Sequence, residues 1–325
     1  MKKVIALLLA LVMVFALCAC GSSSSAPASS DSSAKKEALT FTTGGEAGTY
    51  YAFGSVLAQY VSNNSNLSVT AITGNGSKAN VEDLDAGDVQ LGFCQSDVMS
   101  YAYDGTNLFA ETGAVGSFSV AAALYMEQVQ IVTLDPEIKS VADLAGKNVS
   151  VGAAGSGVFY NAVDVLGAYG LNVETDINPT YQSFGDSAEA LQDGKIDAAF
   201  VVAGAPTTAI TSLAATKDVY LVSIDEEHMN ALIEASPYYS PNTIPASAYG
   251  TEEDIQTVAV GAVVIANDDV SEADVYNFCY GVFENLDSIT AAHAKGAELS
   301  LEYATSVTAV PYHPGAAKYF AEKFA

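Results

Sequence analysis

The stretch Phe41-Thr42-Thr43-Gly44-Gly45-Glu46-Ala47-Gly48-Thr49-Tyr50 (residues 41–50) joins a predicted strand to a predicted helix through a glycine-rich turn. Residues 38–43 alternate between apolar and polar side chains, as a strand does. Thr49 is the expected N-cap of a helix. Apolar residues then recur at helical spacing, at Phe53, Val56, Leu57, Tyr60 and Val61. The stretch predicts a βα unit with a flexible turn at its centre.

A second βα unit follows the same plan. Residues 147–151 read as a strand, and residues 158–169 read as a helix. The turn between them is Gly152-Ala153-Ala154-Gly155-Ser156-Gly157. An ungapped shift of 107 residues brings Gly45, Gly48 and Thr49 onto Gly152, Gly155 and Ser156, and Leu84, Gly87, Val89 and Phe93 onto Leu191, Gly194, Ile196 and Phe200. The match predicts two lobes built on one plan.

Strands that alternate with helices predict an α/β fold with parallel sheets. Ligands of such sheets bind beyond the carboxyl ends of the strands, so two facing lobes would enclose a cleft. Residues 129–134 and 257–266 are the expected crossings between lobes. The predicted division is residues 39–128 plus 262–325 for lobe 1, and residues 129–261 for lobe 2.

The first 38 residues are predicted to lie outside the fold. Lys2 and Lys3 precede an apolar stretch that is too short to favour a membrane span, which indicates a signal peptide over residues 1–19. Leu17-Cys18-Ala19-Cys20 resembles a bacterial lipoprotein signal, and the resemblance implies cleavage before Cys20 and a lipid on that cysteine. The alternative is a secreted protein without an anchor. Residues 20–38 are rich in Ser, Ala and Gly and predict a flexible tether.

The composition excludes two classes of partner. The chain has 12 basic residues, all of them Lys, against 38 acidic residues. It lacks the cationic surface that nucleic acids or anionic lipids require. Without Arg, a carboxylate ligand must be held by backbone N–H groups, hydroxyls and at most one Lys. Cys94 and Cys279 lie in apolar runs and are expected to be free thiols, although export permits a disulfide.

The two glycine-rich turns are the predicted ligand site. Each opens a helix, and a helix N-terminus offers unpaired N–H groups and partial positive charge to an anion. The alternative is two tight connections that bind nothing. Tyr50 is favoured over Tyr51 to face the cleft, and Tyr51 is expected in the core. The predicted ligand-binding residues are Gly48, Thr49, Tyr50, Asn75, Ser77, Gln95, Ser96, Gly155, Ser156, Gly157 and Ala203.

Three further interpretations stay open at this stage. Lys78 sits either near an acidic ligand or on the helix surface. Asp97 either pairs with a ligand ammonium or caps a helix. The three histidines, His228, His293 and His313, have no metal-ligand spacing, and catalytic Ser motifs are absent from the sequence. The sequence therefore predicts a binding protein without enzymatic activity, cofactor or metal.

Five stretches together resemble the TAXI family, the extracytoplasmic receptors of a class of tripartite ATP-independent periplasmic (TRAP) transporters. They are Thr43-Gly44-Gly45-Glu46-Ala47-Gly48-Thr49-Tyr50-Tyr51, Leu91-Gly92-Phe93-Cys94-Gln95-Ser96-Asp97, the 143–157 segment ending in Gly155-Ser156-Gly157, Tyr238-Tyr239-Ser240-Pro241-Asn242-Thr243-Ile244-Pro245, and Pro311-Tyr312-His313-Pro314-Gly315-Ala316. The chain departs from the pattern at Ala205, where relatives often carry a polar or larger residue.

The resemblance implies a two-lobed type II periplasmic-binding fold and an ion-gradient-driven permease as partner. It implies ligands such as glutamate, glutamine or 2-oxoglutarate, held by the Gly-Thr-Tyr turn, the Gln-Ser stretch and the Gly-Ser-Gly turn. Three alternatives remain: a receptor for an ATP-driven importer, a sensory lipoprotein, and, with less support, a surface hydrolase.

Overall fold

The computed structural model describes residues 36–325. The predicted signal peptide, the predicted lipidation site Cys20 and most of the predicted tether lie outside the described residues. The tether was predicted to extend to residue 38, and this boundary is wrong. The first strand begins at Glu37, because residues 37 and 38 already pair in parallel with residues 67 and 68.

The described residues form ten strands and eleven α-helices, joined by short 3-10 turns. The strands are β1 (Glu37–Thr42), β2 (Leu67–Ile72), β3 (Leu91–Gln95), β4 (Phe118–Thr133), β5 (Asn148–Ser150), β6 (Asn178–Thr180), β7 (Ala198–Ala203), β8 (Tyr220–Leu221), β9 (Ser240–Ile244) and β10 (Ile255–Asn267). The helices are α1 (Thr49–Asn64), α2 (Ser77–Asp85), α3 (Ser96–Asp104), α4 (Val158–Ala168), α5 (Phe184–Gln192), α6 (Thr208–Ala214), α7 (Glu226–Ala235), α8 (Glu272–Phe283), α9 (Leu286–Ala292), α10 (Leu301–Ala304) and α11 (Pro314–Lys323).

The strands pair in the order β2-β1-β3-β10-β4-β7-β5-β6. The outer strands on each side are parallel, as predicted, and the two long central strands β4 and β10 are antiparallel. β4 pairs with β10 through residues 118–128 and with β7 through residues 128–133, so one strand serves both halves. We call the half built on β1, β2 and β3 lobe 1, and the half built on β5, β6 and β7 lobe 2. The predicted lobe boundaries fall inside the two central strands and stay a prediction.

The internal repeat seen in the sequence corresponds to equivalent elements of the two lobes. A shift of 107 residues carries α2 (Ser77–Asp85) onto α5 (Phe184–Gln192) at both ends. The glycines that follow them, Gly87 and Gly194, both have positive φ, at +77° and +67°. This conformation favours glycine and ends each helix at the same point. The strand orders 2-1-3 and 6-5-7 mirror each other across the central pair.

Each lobe buries its own core on both faces of its strands. β3 and β7 are buried along their whole length, because helices cover both faces, and a parallel strand so covered is a continuous apolar run. In lobe 1, α1 and α8 pack on one face and α2 and α3 on the other. In lobe 2, α4 and α7 oppose α5 and α6.

Several smaller predictions can be checked against the fold. Cys94 and Cys279 are buried and free, as expected. His313 is a structural residue: its ring accepts a hydrogen bond from the backbone N–H of Gly315 in the first turn of α11. Tyr51 was expected in the core and is instead partly exposed. Within residues 36–325, no helix combines the length and the apolar character needed to cross a membrane.

Candidate ligand-binding cleft

A cavity of about 390 Å³ lies between the two lobes. Its volume is in the range of small-molecule sites. The glycine-rich turn before α1, the start of α2 and the end of β3 line it from lobe 1, and the starts of α4 and α5 and the end of β7 line it from lobe 2. Nine of the predicted residues line it: Gly48, Thr49, Tyr50, Asn75, Ser77, Gln95, Ser156, Gly157 and Ala203.

Three helices begin at this cavity without a side-chain cap. The N-cap residues of α1, α2 and α4 are Gly48, Gly76 and Gly157, and none of these helices has an acidic residue in its first turn. Thr49 was predicted as the N-cap of α1, and this is wrong, because it is the first helical residue. Ser77 is likewise the first residue of α2. α7 and α8, which begin away from the cavity, are capped by Asp225 and Ser271. The first N–H groups of an uncapped helix have no intrahelical acceptor, so the three helices together favour an anion.

Two of the hydroxyls predicted to bind the ligand, those of Thr49 and Ser156, are engaged within the protein. Thr49 Oγ1 donates to the carbonyl of Gly204 at 2.8 Å, which ties the start of α1 to the end of β7 in the other lobe. Ser156 Oγ donates to the carbonyl of Ala153 at 2.7 Å and so closes its own turn. Both oxygens keep lone pairs for a ligand N–H.

Gln95, the last residue of β3, crosses the cleft. Its side-chain amide donates to the side-chain carbonyl of Asn161 on α4 at 2.8 Å, and its backbone N–H donates to Ser77 Oγ at 3.0 Å. Gly157 lies so close that a methyl group on it would come within 1.8 Å of Gln95 Oε1. Only a glycine lets the two lobes approach this closely.

Two predicted residues do not line the cavity. Ser96 Oγ accepts from the backbone N–H of Gly261 on β10 and so supports the central strands. The Gly155 carbonyl accepts from the backbone N–H of Ala79 on α2, across the mouth of the cleft. Lys78 pairs with Glu82 one turn along α2 and does not line the cavity, so its place is on the helix surface.

Asp97 lies in the first turn of α3 and is 1% exposed. Its Oδ2 accepts from the side-chain amide of Asn161 at 3.0 Å, and its Oδ1 is buried without a partner among the described residues. Burial raises the pKa of Asp97 to about 6, although hydrogen bonds from the backbone of Val98 and from Asn161 oppose the shift. Asp97 does not line the cavity and is therefore not placed to pair with a ligand ammonium. It lies in the first turn of α3 and contacts Asn161 of the other lobe.

The sequence-based reasoning missed Glu127, a cavity-lining residue on β4. Its side chain is buried, and Oε2 accepts from the hydroxyl of Tyr50 at 2.6 Å. Tyr50 is held in turn by stacking on Phe93, with ring centroids 4.5 Å apart. A usable signal was present: Glu127 is the only charged residue in the 16-residue apolar strand β4.

The sequence-based prediction also did not include the start of α5, which forms part of the cavity wall. Ser183, Phe184 and Gly185 line it, with the exposed acids Asp186 and Glu189. The repeat contained the signal, because the 107-residue shift brings Gly76 and Ser77 onto Ser183 and Phe184. Unlike α2, α5 is capped, since Ser183 accepts from the backbone N–H of Asp186.

Comparisons with known proteins agree with this architecture. MatC from Rhodopseudomonas palustris with bound malate has a TM-score of 0.59 at 13% identity, covering 88% of this chain and 97% of that chain. A protein from Bordetella bronchiseptica RB50 has a TM-score of 0.53 at 14% identity, covering 89% and 98%. The periplasmic aliphatic sulphonate binding protein SsuA from Escherichia coli has a TM-score of 0.46 at 17% identity, covering 88% and 90%.

The two structures with TM-scores above 0.5 share the fold of this chain, and the predicted fold class is confirmed: the chain has the two-lobed type II periplasmic-binding fold. At the level of family, residues 41–323 match the NMT1-like family, which is nearly the whole of the described chain. On this match, the chain belongs to the NMT1-like family.

Proposed function

We propose that this protein is an extracytoplasmic solute-binding receptor and not an enzyme. One observation carries the proposal: the uncapped N-termini of α1, α2 and α4 meet at one cavity between two lobes. This arrangement supplies an Arg-free site for a carboxylate, and a small carboxylate or amino acid is the solute class it fits. Ligand contacts from both lobes would favour the closed form of the cleft.

The finer assignment is a receptor of the TAXI type that serves a TRAP transporter. The motifs at residues 43–51, 91–97 and 143–157 support it, and all three border the cavity. The lipid on Cys20 would then keep the receptor at the membrane surface and raise its effective concentration near an ion-gradient-driven permease.

Ligand binding is tested with the mature chain. Amino acids and small carboxylates are screened by thermal shift, and hits are measured by calorimetry. A true ligand raises the midpoint of unfolding, since it binds the folded state alone. If no member of the panel stabilises the protein, the proposed solute class is wrong.

A pair of glycine variants tests whether the helix termini hold an anion. Gly45 lines the cavity and has open space around it, and Gly116 is an exposed loop glycine that also has open space. Gly45→Asp places a negative charge beside the helix termini and should weaken binding at least about tenfold, because like charges repel at close range. Gly116→Asp adds the same net charge elsewhere and should leave the Kd unchanged. Equal affinities for the two variants would place the anion outside this cavity.

The energy source of transport separates the two importer assignments. Uptake of the identified ligand is measured in cells after collapse of the ion gradient, and separately after ATP depletion with the gradient maintained. A TRAP partner predicts that uptake stops in the first condition and continues in the second. The opposite result would assign the receptor to an ATP-driven importer.

A further inference from the structure

Glu127 has one carboxylate oxygen that no protein group occupies. Its Oε2 accepts from Tyr50, whereas Oε1 accepts no hydrogen bond within residues 36–325. Oε1 is not among the fully enclosed polar atoms that lack a partner, and the residue lines the cavity, so this oxygen is open to the cleft. The side chain as a whole is only 2% exposed. Removal of a carboxyl group from water costs free energy unless a hydrogen-bond donor or a cation is its partner.

The surroundings of Glu127 do not supply that cation. Lys295 is the basic residue whose charge acts on it, but its ammonium donates to Glu298 at 2.5 Å. Within the described chain, Glu127 forms no salt bridge. The titratable groups that face it are Tyr50 on α1, Cys94 on β3, Asp97 on α3, Tyr125 on its own strand, Tyr303 on α10 and Lys295.

The rest of the cavity wall is acidic as well. Its lining includes Glu46, Asp186 and Glu189 besides Glu127, and within residues 36–325 it includes no Lys or His. The helix termini can hold one carboxylate, but a second carboxylate would face acids of the same charge and no basic side chain. A protonated amine is favoured instead, because the buried carboxyl group of Glu127 has an oxygen that accepts no hydrogen bond from the protein.

We propose that Glu127 is the subsite for a protonated amine, so that the cleft takes an α-amino acid and rejects the corresponding oxo acid or dicarboxylate. The inference rests on the proposed receptor function, in which the helix termini hold the ligand carboxylate. Tyr50 acts as a positioning residue: its hydroxyl and its stacking on Phe93 fix the Glu127 carboxyl group at the cavity wall.

Ligand binding at this subsite is linked to the protonation of Glu127. Burial raises the pKa of Glu127 well above its usual value, although the hydrogen bond from Tyr50 and the charge of Lys295 oppose the shift. When an ammonium group arrives, its charge stabilises the carboxylate and lowers this pKa. Any proton that Glu127 holds in the empty cleft then leaves to solvent, while the ligand keeps all of its own. A ligand that accepts a hydrogen bond from neutral Glu127 would release no proton.

The test uses the mature chain and matched pairs of probes: L-glutamate against 2-oxoglutarate, and L-aspartate against malate. Calorimetry is repeated at pH 7 in buffers of different ionisation enthalpy, which reports proton release. We expect an amino acid to bind at least about 30-fold more tightly than its analogue without the amine. Any change in bound protons should be a release, because the ammonium lowers the pKa of Glu127. Glu127→Gln keeps the shape and an acceptor for Tyr50, and should remove both the preference and the proton release. Glu137→Gln, an exposed site outside the cavity, removes one acid and should change neither.

Three results would overturn the inference. They are equal or tighter binding of 2-oxoglutarate or malate, unchanged amino-acid binding by a folded Glu127→Gln variant, and proton uptake on amino-acid binding. Each of these leaves the receptor function standing. If Glu127→Gln does not fold, the paired probes and the proton count on the natural chain still decide. Amines without a carboxylate, such as putrescine, separate the two proposals: binding that depends on Glu127 would support the amine subsite and overturn the carboxylate assignment.

Discussion

The side-chain amide of Gln95 donates to the side-chain carbonyl of Asn161 across the cleft, at 2.8 Å. Asn161 also donates to Asp97 in lobe 1 at 3.0 Å and to the hydroxyl of Tyr239 at 2.9 Å. The hydroxyl of Tyr239 donates in turn to Asp164 at 2.9 Å. One buried amide on α4 thus joins polar groups from both lobes next to the cavity.

Loss of the contacts of Asn161 with Gln95 and Asp97, which we call the junction, should weaken ligand binding more than it lowers the free energy of unfolding. Asn161→Ala removes the partner of both Gln95 and Asp97 in the closed form, whereas water can satisfy them in an open form. We expect the Kd to rise at least about tenfold and small-angle scattering to show a larger radius of gyration. Gln90→Ala is the control, because Gln90 accepts from the backbone of Thr40 within lobe 1 only. An unchanged Kd for Asn161→Ala would mean that the junction does not couple closure to binding.

Gly157→Ala should hold the lobes apart. Gly157 has φ −73° and ψ −19°, so alanine suits the backbone, but its methyl group would lie 1.8 Å from Gln95 Oε1 and 2.6 Å from Val98. The clash occurs between lobes, and we therefore expect ligand affinity to fall while the midpoint of thermal unfolding stays within a few degrees.

Gly167→Ala is the matched control for this variant. Gly167 lies on the same helix with nothing within 4 Å of the added methyl group, so its Kd should equal that of the natural protein. If Gly157→Ala binds as tightly as Gly167→Ala, the close approach of the lobes is not needed for binding.

Thr49 offers a finer test of closure. Thr49→Val keeps the shape but removes the hydroxyl that donates to Gly204, and Thr49→Ser keeps the hydroxyl. One hydrogen bond of this kind contributes about 1 kcal/mol, so we expect roughly fivefold weaker binding for valine and near-normal binding for serine. Calorimetry on the three proteins measures this directly. Normal binding by Thr49→Val with weaker binding by Thr49→Ser would point to the methyl group instead.

Asp97 should make the stability of the protein depend on pH. Its folded-state pKa of about 6 lies above the unfolded value of about 4, so folding takes up a proton between these values. The free energy of unfolding should therefore fall as the pH rises from about 4 to 6, by roughly 3 kcal/mol from this group.

Asp97→Asn isolates that contribution, since asparagine keeps an acceptor for Asn161 and does not titrate. Denaturant unfolding is measured for both proteins at pH 4, 5, 6 and 7, a range set by the pKa of Asp97. We expect the free energy of unfolding of the variant to rise relative to that of the natural protein as the pH rises through this range. The other carboxyl groups contribute equally to both proteins, so their contributions cancel in the difference. Parallel curves would show that Asp97 titrates normally.

The membrane anchor is tested outside the described residues. Cys20→Ser removes the predicted acylation site and should release the protein from the membrane fraction, whereas Cys18→Ser, inside the predicted signal peptide, should leave it anchored. Mass spectrometry of the natural protein should show a lipid-modified N-terminal cysteine. An unmodified mature protein would identify it as secreted without an anchor.

The sequence by itself determined the local units of this protein. Apolar periodicity defines α1, the run Leu91-Gly92-Phe93-Cys94 marks a strand covered on both faces, and the 107-residue repeat predicts two lobes with one plan. These features are local, because the 3.6-residue and two-residue periods are written in neighbouring residues. The glycine-rich turns are local as well, and for that reason most of the predicted site residues do line the cavity.

Only the tertiary structure decided which groups share the cleft. Glu127 and Tyr50 are 77 residues apart, and Gln95 and Asn161 are 66 apart, so their pairing depends on how β4 crosses the sheet and how closely the lobes approach. The fold also assigned Thr49, Ser96 and Ser156 to contacts within the protein. A hydroxyl in a sequence shows that it can form hydrogen bonds, but its partner depends on the chain that packs against it. For the same reason, the acidic character of the cavity is a property of the folded protein alone.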